Sequence, residues 1–557
     1  METVKDLNST EENCERVSNP CHESLKKGFS KLQSVLSEMG YNSLKTGQDE
    51  AVMNLMLKRD TICIMPTGFG KTAIYVVPAR AVNMSTLIFS PLVSLMKDQV
   101  EGLWAKGYSA GQVSSGQSVA ENNKVLTDWE SGELQFLLIA PERLQSDKFI
   151  STMKARPPEF VVVDEAHCVS QWAHSFRPDY VRIGDFIDTF KPDVVLALTA
   201  TMTEEMEGDV RDTLSIKNAS KIVYYPIRDN LKFENYTYDL TTIRHLLNKI
   251  SGSTIVYAST KKATHALYDT LKGSIDGGCL VYNGGLTPDE RTTNQNMFMS
   301  GEVRVMFATN AFGMGIDKGD IRAVIHIDLP GSIEQYAQEV GRAGRDGEMS
   351  RCIFMENAKS INTQLWFLDT TYPDSSVITR VYQRLKQLSS KDGVARITNA
   401  DLSTQLGIDP AFISSAKGIL ISNNIITSTK SKDKTAKLKL LDESDVIKSD
   451  KIVANVLKYG YTVGSHIEFD LDFTAEQCVC AVSTLKTKLS KLSKAGSIIY
   501  IAPFRGNEVK LINDISELDF DLCDKKRKQA KDKMLDLIRF LKLSSDKKHS
   551  FLVEYFK

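Results

Sequence analysis

Apolar residues along this chain follow two kinds of pattern. Between about residues 60 and 330 they form short uninterrupted runs: TICIMP, STLIFSP, FLLIAP, FVVVDEAH and VVLALTAT, then KIVYYP, STIVYAS, GCLVYN, VRVMFATN and AVIHIDLP. Runs of that length, rich in β-branched residues and each followed by helical spacing, read as buried strands alternating with helices. That alternation makes parallel sheets. The runs fall into two series of five, so two α/β domains are expected, with a boundary near Ser215–Ser220. Upstream, residues 25–57 carry helical spacing in LQSVLSEMGY and DEAVMNLML, joined by NSLKTGQ. Residues 1–26 lack apolar periodicity and read as a flexible tail.

After about Ile361 the alternation stops. ITNADLSTQLGIDPAFISSAKGILISNNIIT reads helix, turn, helix, then an apolar strand, which is a winged-helix pattern. FTAEQCVCAVSTLKTKLSKLSKAGSIIYIAP looks like a second, weaker copy, and a Lys-rich loop, TKSKDKTAKLKL, lies between the two. The end of the chain is a basic helix, with Lys525, Lys526, Arg527, Lys528, Lys531 and Lys533, then a polar turn and an aromatic finish. The expected division is a tail at 1–26, α/β domains at 27–215 and 216–360, a mostly helical winged-helix-like region at 361–515, and a basic helix and tail at 516–557.

Composition narrows the class without choosing a function. The 557 residues are 42% apolar and 25% charged, as in an ordinary globular protein. Lys+Arg is 69 and Asp+Glu is 70, so a globally basic nucleic-acid binder is excluded but a local basic patch is not. No run of about 18 apolar residues suggests a membrane span. The polar, acidic start has no stretch that suits a signal peptide. Nine cysteines, scattered apart from the close pair Cys478 and Cys480, fit free thiols in a reducing compartment.

Chemistry enters where the runs end. TICIM leads into Pro66-Thr67-Gly68-Phe69-Gly70-Lys71-Thr72 and then a helical stretch. A strand, a Gly-containing loop and a helix in that order can cradle phosphates on backbone N–H groups. Lys71 would reach the β- and γ-phosphates and the Thr72 hydroxyl would hold Mg²⁺. The strict phosphate-loop pattern is broken, because Met65 stands where its first Gly belongs. FVVVDEAH closes a very apolar strand with two carboxylates. Asp164 suits Mg²⁺, directly or through water, and Glu165 suits positioning and deprotonating an attacking water. The second series has no phosphate loop of its own but ends in QEVGRAGRDG, opened by Gln338. Arg342 and Arg345, three apart, would share a face of one helical turn and stabilise charge on the transferred phosphoryl group. Between DEAH and the next strand lies CVSQWAHSFRPDY. Its Trp172, His174, Phe176, Arg177 and Tyr180 have the composition of a stacking platform for single strands, or of a small satellite core.

These motifs, in this order over roughly residues 27–360, resemble the RecQ family of superfamily 2 DNA helicases. DEAHCVSQWAHSFRPDY is the most telling segment; SPLVSLMKDQV, APERL, LALTAT, YNGGLTPDER, ATNAFGMGIDK and QEVGRAGRDG follow the family's succession. The resemblance implies tandem RecA-like domains and ATP- and Mg²⁺-dependent unwinding of DNA in the 3′–5′ direction, as in repair or recombination. It implies that Tyr41 stacks on adenine, that Gln48 bonds its edge, and that Thr67, Gly68, Gly70, Lys71, Thr72 and Gln338 hold the nucleotide. Trp172, His174, Phe176 and Arg177 would meet DNA. The chain departs from the family at Lys45, usually Arg, which weakens one face of the adenine sandwich, at Phe69, usually Gly, and at Asn283, usually His. The family's four-cysteine zinc module has no counterpart here, so no zinc is expected, and no further domain is expected after Lys557. The expected partners are single-stranded and duplex DNA and no membrane, with the protein a monomer in the cytoplasm (nucleoid) or nucleus. Other readings are a translocase or annealing factor that unwinds poorly, an RNA helicase, and a DNA-binding scaffold with a dead ATPase. The intact Lys71, Asp164, Glu165 and Arg345 oppose the last.

Overall fold

A computed structural model describes residues 30–66, 68–91, 93–170, 178–224, 228–313, 318–390, 393–430, 434–442, 444–504 and 506–556. The chain forms two compact units, Met1–Gln364 with Asp532–Lys557, and Leu365–Lys531.

The first unit contains two RecA-like sheets. One is built from β1 (Thr61–Ile64), β2 (Thr86–Phe89), β3 (Ala110–Val113), β4 (Phe136–Ile139), β5 (Phe160–Val163), β6 (Val194–Thr199) and β7 (Ser220–Val223), in the order β3-β4-β2-β5-β6-β1-β7. All its pairings are parallel. Successive strand residues alternate between two cores, so Ile88, Phe136 and Leu138 belong to one, and Leu87, Phe89, Leu137 and Ile139 to the other. Both faces are covered, which is why these strands read as unbroken apolar runs.

The other sheet comprises β8 (Leu231–Thr237), β9 (Ser253–Tyr257), β10 (Cys279–Tyr282), β11 (Val305–Ala308), β12 (Ile321–His326) and β13 (Ser350–Glu356), ordered β10-β11-β9-β12-β13-β8 and again all parallel. KIVYYP, expected to open this second series, instead forms β7 and extends the first sheet, with Thr61 opposite Ser220 and Ile64 opposite Val223. A run of apolar residues reports burial and not which sheet buries it. The edge strand β8 is covered by the helix Ser545–Tyr555. Asn235 on β8 donates to the Leu541 carbonyl at 2.6 Å, Lys548 is buried against the Asn235 side-chain oxygen, and Phe540 packs edge-on to Tyr336.

The second unit carries two winged-helix-like folds, arranged differently from the tandem copies expected. The outer one has helices Ser375–Leu388, Asn399–Leu406 and Pro410–Ser422 and a sheet of β14 (Val394–Arg396), β15 (Ile426–Lys430) and β20 (Asn507–Leu511), ordered β14-β20-β15. The inner one lies in the chain between β15 and β20. It has helices Lys451–Tyr459, Leu471–Gln477 and Val482–Lys494, and strands β16 (Thr435–Leu440), β17 (Tyr461–Val463), β18 (His466–Asp470) and β19 (Ile498–Ile501), ordered β17-β18-β16-β19. The supposed loop TKSKDKTAKLKL is mostly strand. Ile426 pairs with Leu511 and Lys430 with Asn507 in the outer sheet; Lys437 pairs with Ile501 and Leu440 with Ile498 in the inner one. The same two stretches of chain, antiparallel throughout, therefore serve both sheets. The outer sheet has three strands with β20, the last in the chain, at its centre, whereas the inner has four, with β18 and β16 inside. Within this unit the expected basic cluster is partly neutralised, because Arg527 pairs with Asp369 at 2.9 Å and Asp374 at 2.7 Å, and Lys531 with Asp369 at 3.5 Å. No described helix is long and apolar enough to cross a membrane.

Candidate nucleotide site

The loop after β1 reaches the helix Lys71–Val82 through Gly68 (φ 76°) and Gly70 (φ 82°), both in the left-handed region that glycine enters without a Cβ clash. Gly70 precedes the helix and no described side chain caps it, so the first backbone N–H groups face outward beside Lys71 and Thr72. That is an anion-binding arrangement. Thr67 lies outside the described residues.

Three elements hold this loop. The Gln48 amide donates to the carbonyls of Phe69 at 2.7 Å and Gly70 at 3.2 Å, while its oxygen accepts from Lys45 N–H at 2.9 Å. Both ends of the amide expected to read adenine are thus engaged with the loop and its approach. The Lys45 ammonium lies 5.3 Å from the Phe69 ring centre, and Phe69 packs on Tyr224 at 5.1 Å. Tyr41 is partly exposed, with the Lys106 ammonium 5.5 Å from its ring.

The carboxylates sit two strands away in the same sheet, at the end of β5. Asp164 N–H donates to Phe89 O in β2, its carboxylate accepts from Glu165 N–H at 3.0 Å, and the Tyr180 hydroxyl donates to its carbonyl. Tyr180 is therefore a buried support of the site. Burial first, and then the neighbouring Glu165, push the Asp164 carboxyl up to about 6, against the pull of Lys71. A carboxylate so placed suits a cation. Glu165 is held in the left-handed region, at φ 50°, a costly conformation for a residue with a Cβ. Its carboxylate lies 3.4 Å from His167 Nδ1, which donates to the Thr199 hydroxyl at 2.8 Å. Burial opposes charge on His167, but Cys168 and Glu165 outweigh it and lift the imidazole to about 9. Thr199 ends β6, between β1 and β5, and its carbonyl accepts from Met65 N–H at the start of the phosphate loop.

The arginines do not share a face. Their helix, Ile333–Val340, stops before Gly341, and residues 341–347 form turns in which Gly344 (φ 62°) and Gly347 (φ 90°) are left-handed. Spacing of three on a helix therefore does not apply. Arg342 is 3% exposed and donates to the Gly313 carbonyl within its own domain. Arg345 crosses to the first domain, where a Cβ added at Gly68 would lie 2.7 Å from its Cδ. Arg228 donates to the carbonyls of Gly341 at 2.8 Å and Ala343 at 2.5 Å, and Asn230 to those of Gly344 and Glu348. Gln338 is half-buried on the helix before this turn. Sequence reasoning missed His167, Thr199, Arg228 and Asn230. LALTAT reads as a strand end and as one of the family's motifs, with no role for Thr199, and nothing in the sequence links Arg228 to a turn more than a hundred residues away.

Trp172, His174, Phe176 and Arg177 lie outside the described residues.

Two family profiles match the chain: DEAD/DEAH box helicase over residues 45–208, and helicase conserved C-terminal domain over residues 239–347. The chain is 38% identical over 346 residues to the ATP-dependent DNA helicase RecQ of Bacillus subtilis, covering 61% of this chain and 58% of that protein. It is 35% identical over 371 residues to the probable ATP-dependent DNA helicase RecS of the same organism, covering 65% and 74%. RecQ of Haemophilus influenzae is 36% identical over 318 residues, covering 57% and 51%. The matched stretch thus spans between about half and three quarters of these relatives.

Proposed function

The chain belongs to the RecQ family of superfamily 2 helicases, and from that premise we propose that it is an ATP-dependent DNA helicase moving 3′ to 5′ on one strand and separating duplex ahead of it. The observation that carries this reading is Arg345 of the second domain lying over Gly68 in the phosphate loop of the first. A nucleotide held by the loop would feel both domains at once, so cleaving it changes how strongly the domains attract each other.

Within that reading the loop N–H groups and Lys71 bind the phosphates. Thr72 and Asp164 would hold Mg²⁺, which when bound supplies positive charge beside the phosphate oxygens. Glu165 orients and deprotonates the attacking water, and the His167–Thr199 link fixes its carboxylate relative to the loop. Arg345 stabilises charge on the transferred phosphoryl group. Arg342, together with Arg228 and Asn230, positions the turn from which Arg345 extends. Tyr41 and Lys45 form the adenine side, with Gln48 holding the phosphate loop beside them, and Trp172, His174, Phe176 and Arg177 are the proposed single-strand sensor. A role in repair or recombination is part of the same proposal.

The test is strand separation on duplexes with a 3′ or a 5′ tail, with and without ATP, with RNA duplexes in parallel. Unwinding of the 3′-tailed DNA alone is expected. ATP turnover without strand separation would favour the translocase or annealing reading. A preference for RNA would overturn the DNA assignment.

A further inference from the structure

An edge strand can be covered by contacts along that strand alone, as Lys548 makes with Asn235 on β8. The last helix of the chain, Ser545–Tyr555, also reaches two places beyond β8, and both border the turn that carries Arg345.

The first is the helix Ile333–Val340. The Tyr555 hydroxyl donates to the Glu334 carboxylate at 2.9 Å, between residues far apart in the chain. Burial, and then the Glu334 charge, raise this hydroxyl above its ordinary range, so it stays a donor. Two residues on, Tyr336 is fully buried and starts a row of rings. It meets Phe540 at 5.4 Å, Phe540 meets Phe551 at 5.3 Å, and Phe551 meets Tyr555 at 6.1 Å. The rings hold the two helices together, and the hydrogen bond at the end of the row sets their register. The second place is the segment before β8. His549 Nε2 lies 3.3 Å from the Asp229 carboxylate. Asp229 stands between Arg228 and Asn230, whose side chains hold the carbonyls of Gly341, Ala343, Gly344 and Glu348.

The turn is also bonded to the helix it follows. Gly341 N–H donates to Ala337 O at 2.9 Å, Arg342 N–H to Glu339 O at 3.2 Å, and Ala343 N–H to Val340 O at 3.1 Å. A displacement of the helix is therefore a displacement of the turn, and of the Arg345 side chain that leaves it for Gly68.

We infer that Tyr555 is a positioning residue for phosphoryl transfer: by holding Glu334 it sets the helix and turn that aim Arg345 at the phosphate loop. The inference rests on the helicase reading, in which Arg345 stabilises charge on the transferred group. A misplacement of about 1 Å, caused by a change remote from the chemistry, can cost about 10²-fold in rate. The effect belongs to the reacting step and not to ATP binding, since Arg345 acts on charge that develops there.

The experiment measures DNA-stimulated ATP turnover and melting temperature in the full chain. Tyr555→Phe keeps the ring and removes the donor, Glu334→Ala removes the acceptor, and Glu334→Gln retains one. The first two should lower kcat about tenfold, with KM for ATP and melting temperature at parental values, and Glu334→Gln should stay within about twofold of the parent. A double-mutant cycle identifies the route: Tyr555→Phe should cost about tenfold in the parental chain and nothing further in Arg345→Ala. Parental kcat in Tyr555→Phe, beside an impaired Arg345→Ala, overturns the inference alone. So does an equal fold-loss from Tyr555→Phe in both backgrounds, or a Glu334→Gln variant as slow as Glu334→Ala. A loss of kcat matched by a fall in melting temperature also overturns it, and would make the helix only a cover for β8. Near-parental turnover in Arg345→Ala would sink the reading of the site itself, and the inference with it.

Discussion

The two parallel sheets of the first unit are built alike and end differently. In the first, the strand ends open outward: β1 runs into an uncapped phosphate loop and β5 into Asp164 and Glu165, with Thr199 between them. In the second, the matching ends are tied to one another. The Tyr257 hydroxyl donates to Phe312 O at 2.8 Å, Ser259 N–H donates to Asp328 at 2.9 Å, and Arg342 donates to Gly313 O. His326 and Glu339 form a further buried pair at 2.7 Å. The same architecture thus yields one sheet whose strand ends carry a phosphate loop and two carboxylates, and one whose matching ends are bonded to one another. Arg345 is the exception in the second sheet, since its turn is held inside while its side chain leaves.

The comparison breaks first at the arginines. Arg345→Ala should lower DNA-stimulated ATP turnover about 10³-fold or more, with thermal stability unchanged, as expected for an arginine that the second domain supplies in cis to a phosphoryl transfer. Arg342→Ala should instead lower the unfolding midpoint, because it leaves a buried carbonyl unpaired, at a cost of about 1–3 kcal/mol. Steady-state kinetics and calorimetry on both variants check this, and exchanged outcomes would reverse the assignment. On the open side, Glu165→Gln and Lys71→Ala should each reduce turnover by roughly 10²–10⁴-fold without unfolding the chain. Near-parental turnover in Glu165→Gln would remove it as the base.

Smaller effects sharpen the picture. Phe69→Gly removes the ring that holds the Lys45 ammonium and releases Lys45 toward adenine. KM for ATP should fall about two- to fivefold, the equivalent of about 0.5–1 kcal/mol for an exposed cation–π contact. A raised KM would show that the stack serves the nucleotide. The smallest effect belongs to the covered edge of the second sheet. Burial pushes the Lys548 ammonium down to about 8, against the pull of Glu356 and Cys352. The unfolded chain keeps that proton to about 10.4, so from this group stability is gained as pH rises from 8 toward 10, and is lost as pH falls through 8. Lys548→Met should flatten that part of the profile, measured as melting temperature against pH.

Much of the first unit was legible because sheets covered on both faces need unbroken apolar runs. The strands that escaped notice carry weaker signals. β3 is an edge strand containing Gly111 and Gln112, and β8 an edge strand in which buried Leu231 and Phe233 alternate with polar residues; β13, also missed, is an interior strand whose short apolar run CIFM follows the QEVGRAGRDG turn. The loop glycines, Lys71 and the DEAH carboxylates were legible because their chemistry is local. The separate destinations of Arg342 and Arg345 were not, since spacing presupposed a helix that ends at Val340. Nor could local pattern reveal that Gln48 bonds a loop twenty residues on, or that one winged fold interrupts another, since both depend on where the chain returns.

That interruption has a consequence for the order of assembly. β20 closes the outer sheet against both β14 and β15, yet it is separated from β15 by the whole of residues 431–506. Closing a disordered loop costs entropy that grows with its length, by about 0.6 kcal/mol per doubling. Once the inner fold has formed, Lys437 already faces Ile501, and β20 is delivered beside β15 with little chain left to order. Forming the inner fold first therefore lowers the entropy cost of closing the outer one. The inner fold acts as an internal template, and a slow or misfolded insert would leave the outer sheet with an open edge, the kind of edge that recruits strands from other chains.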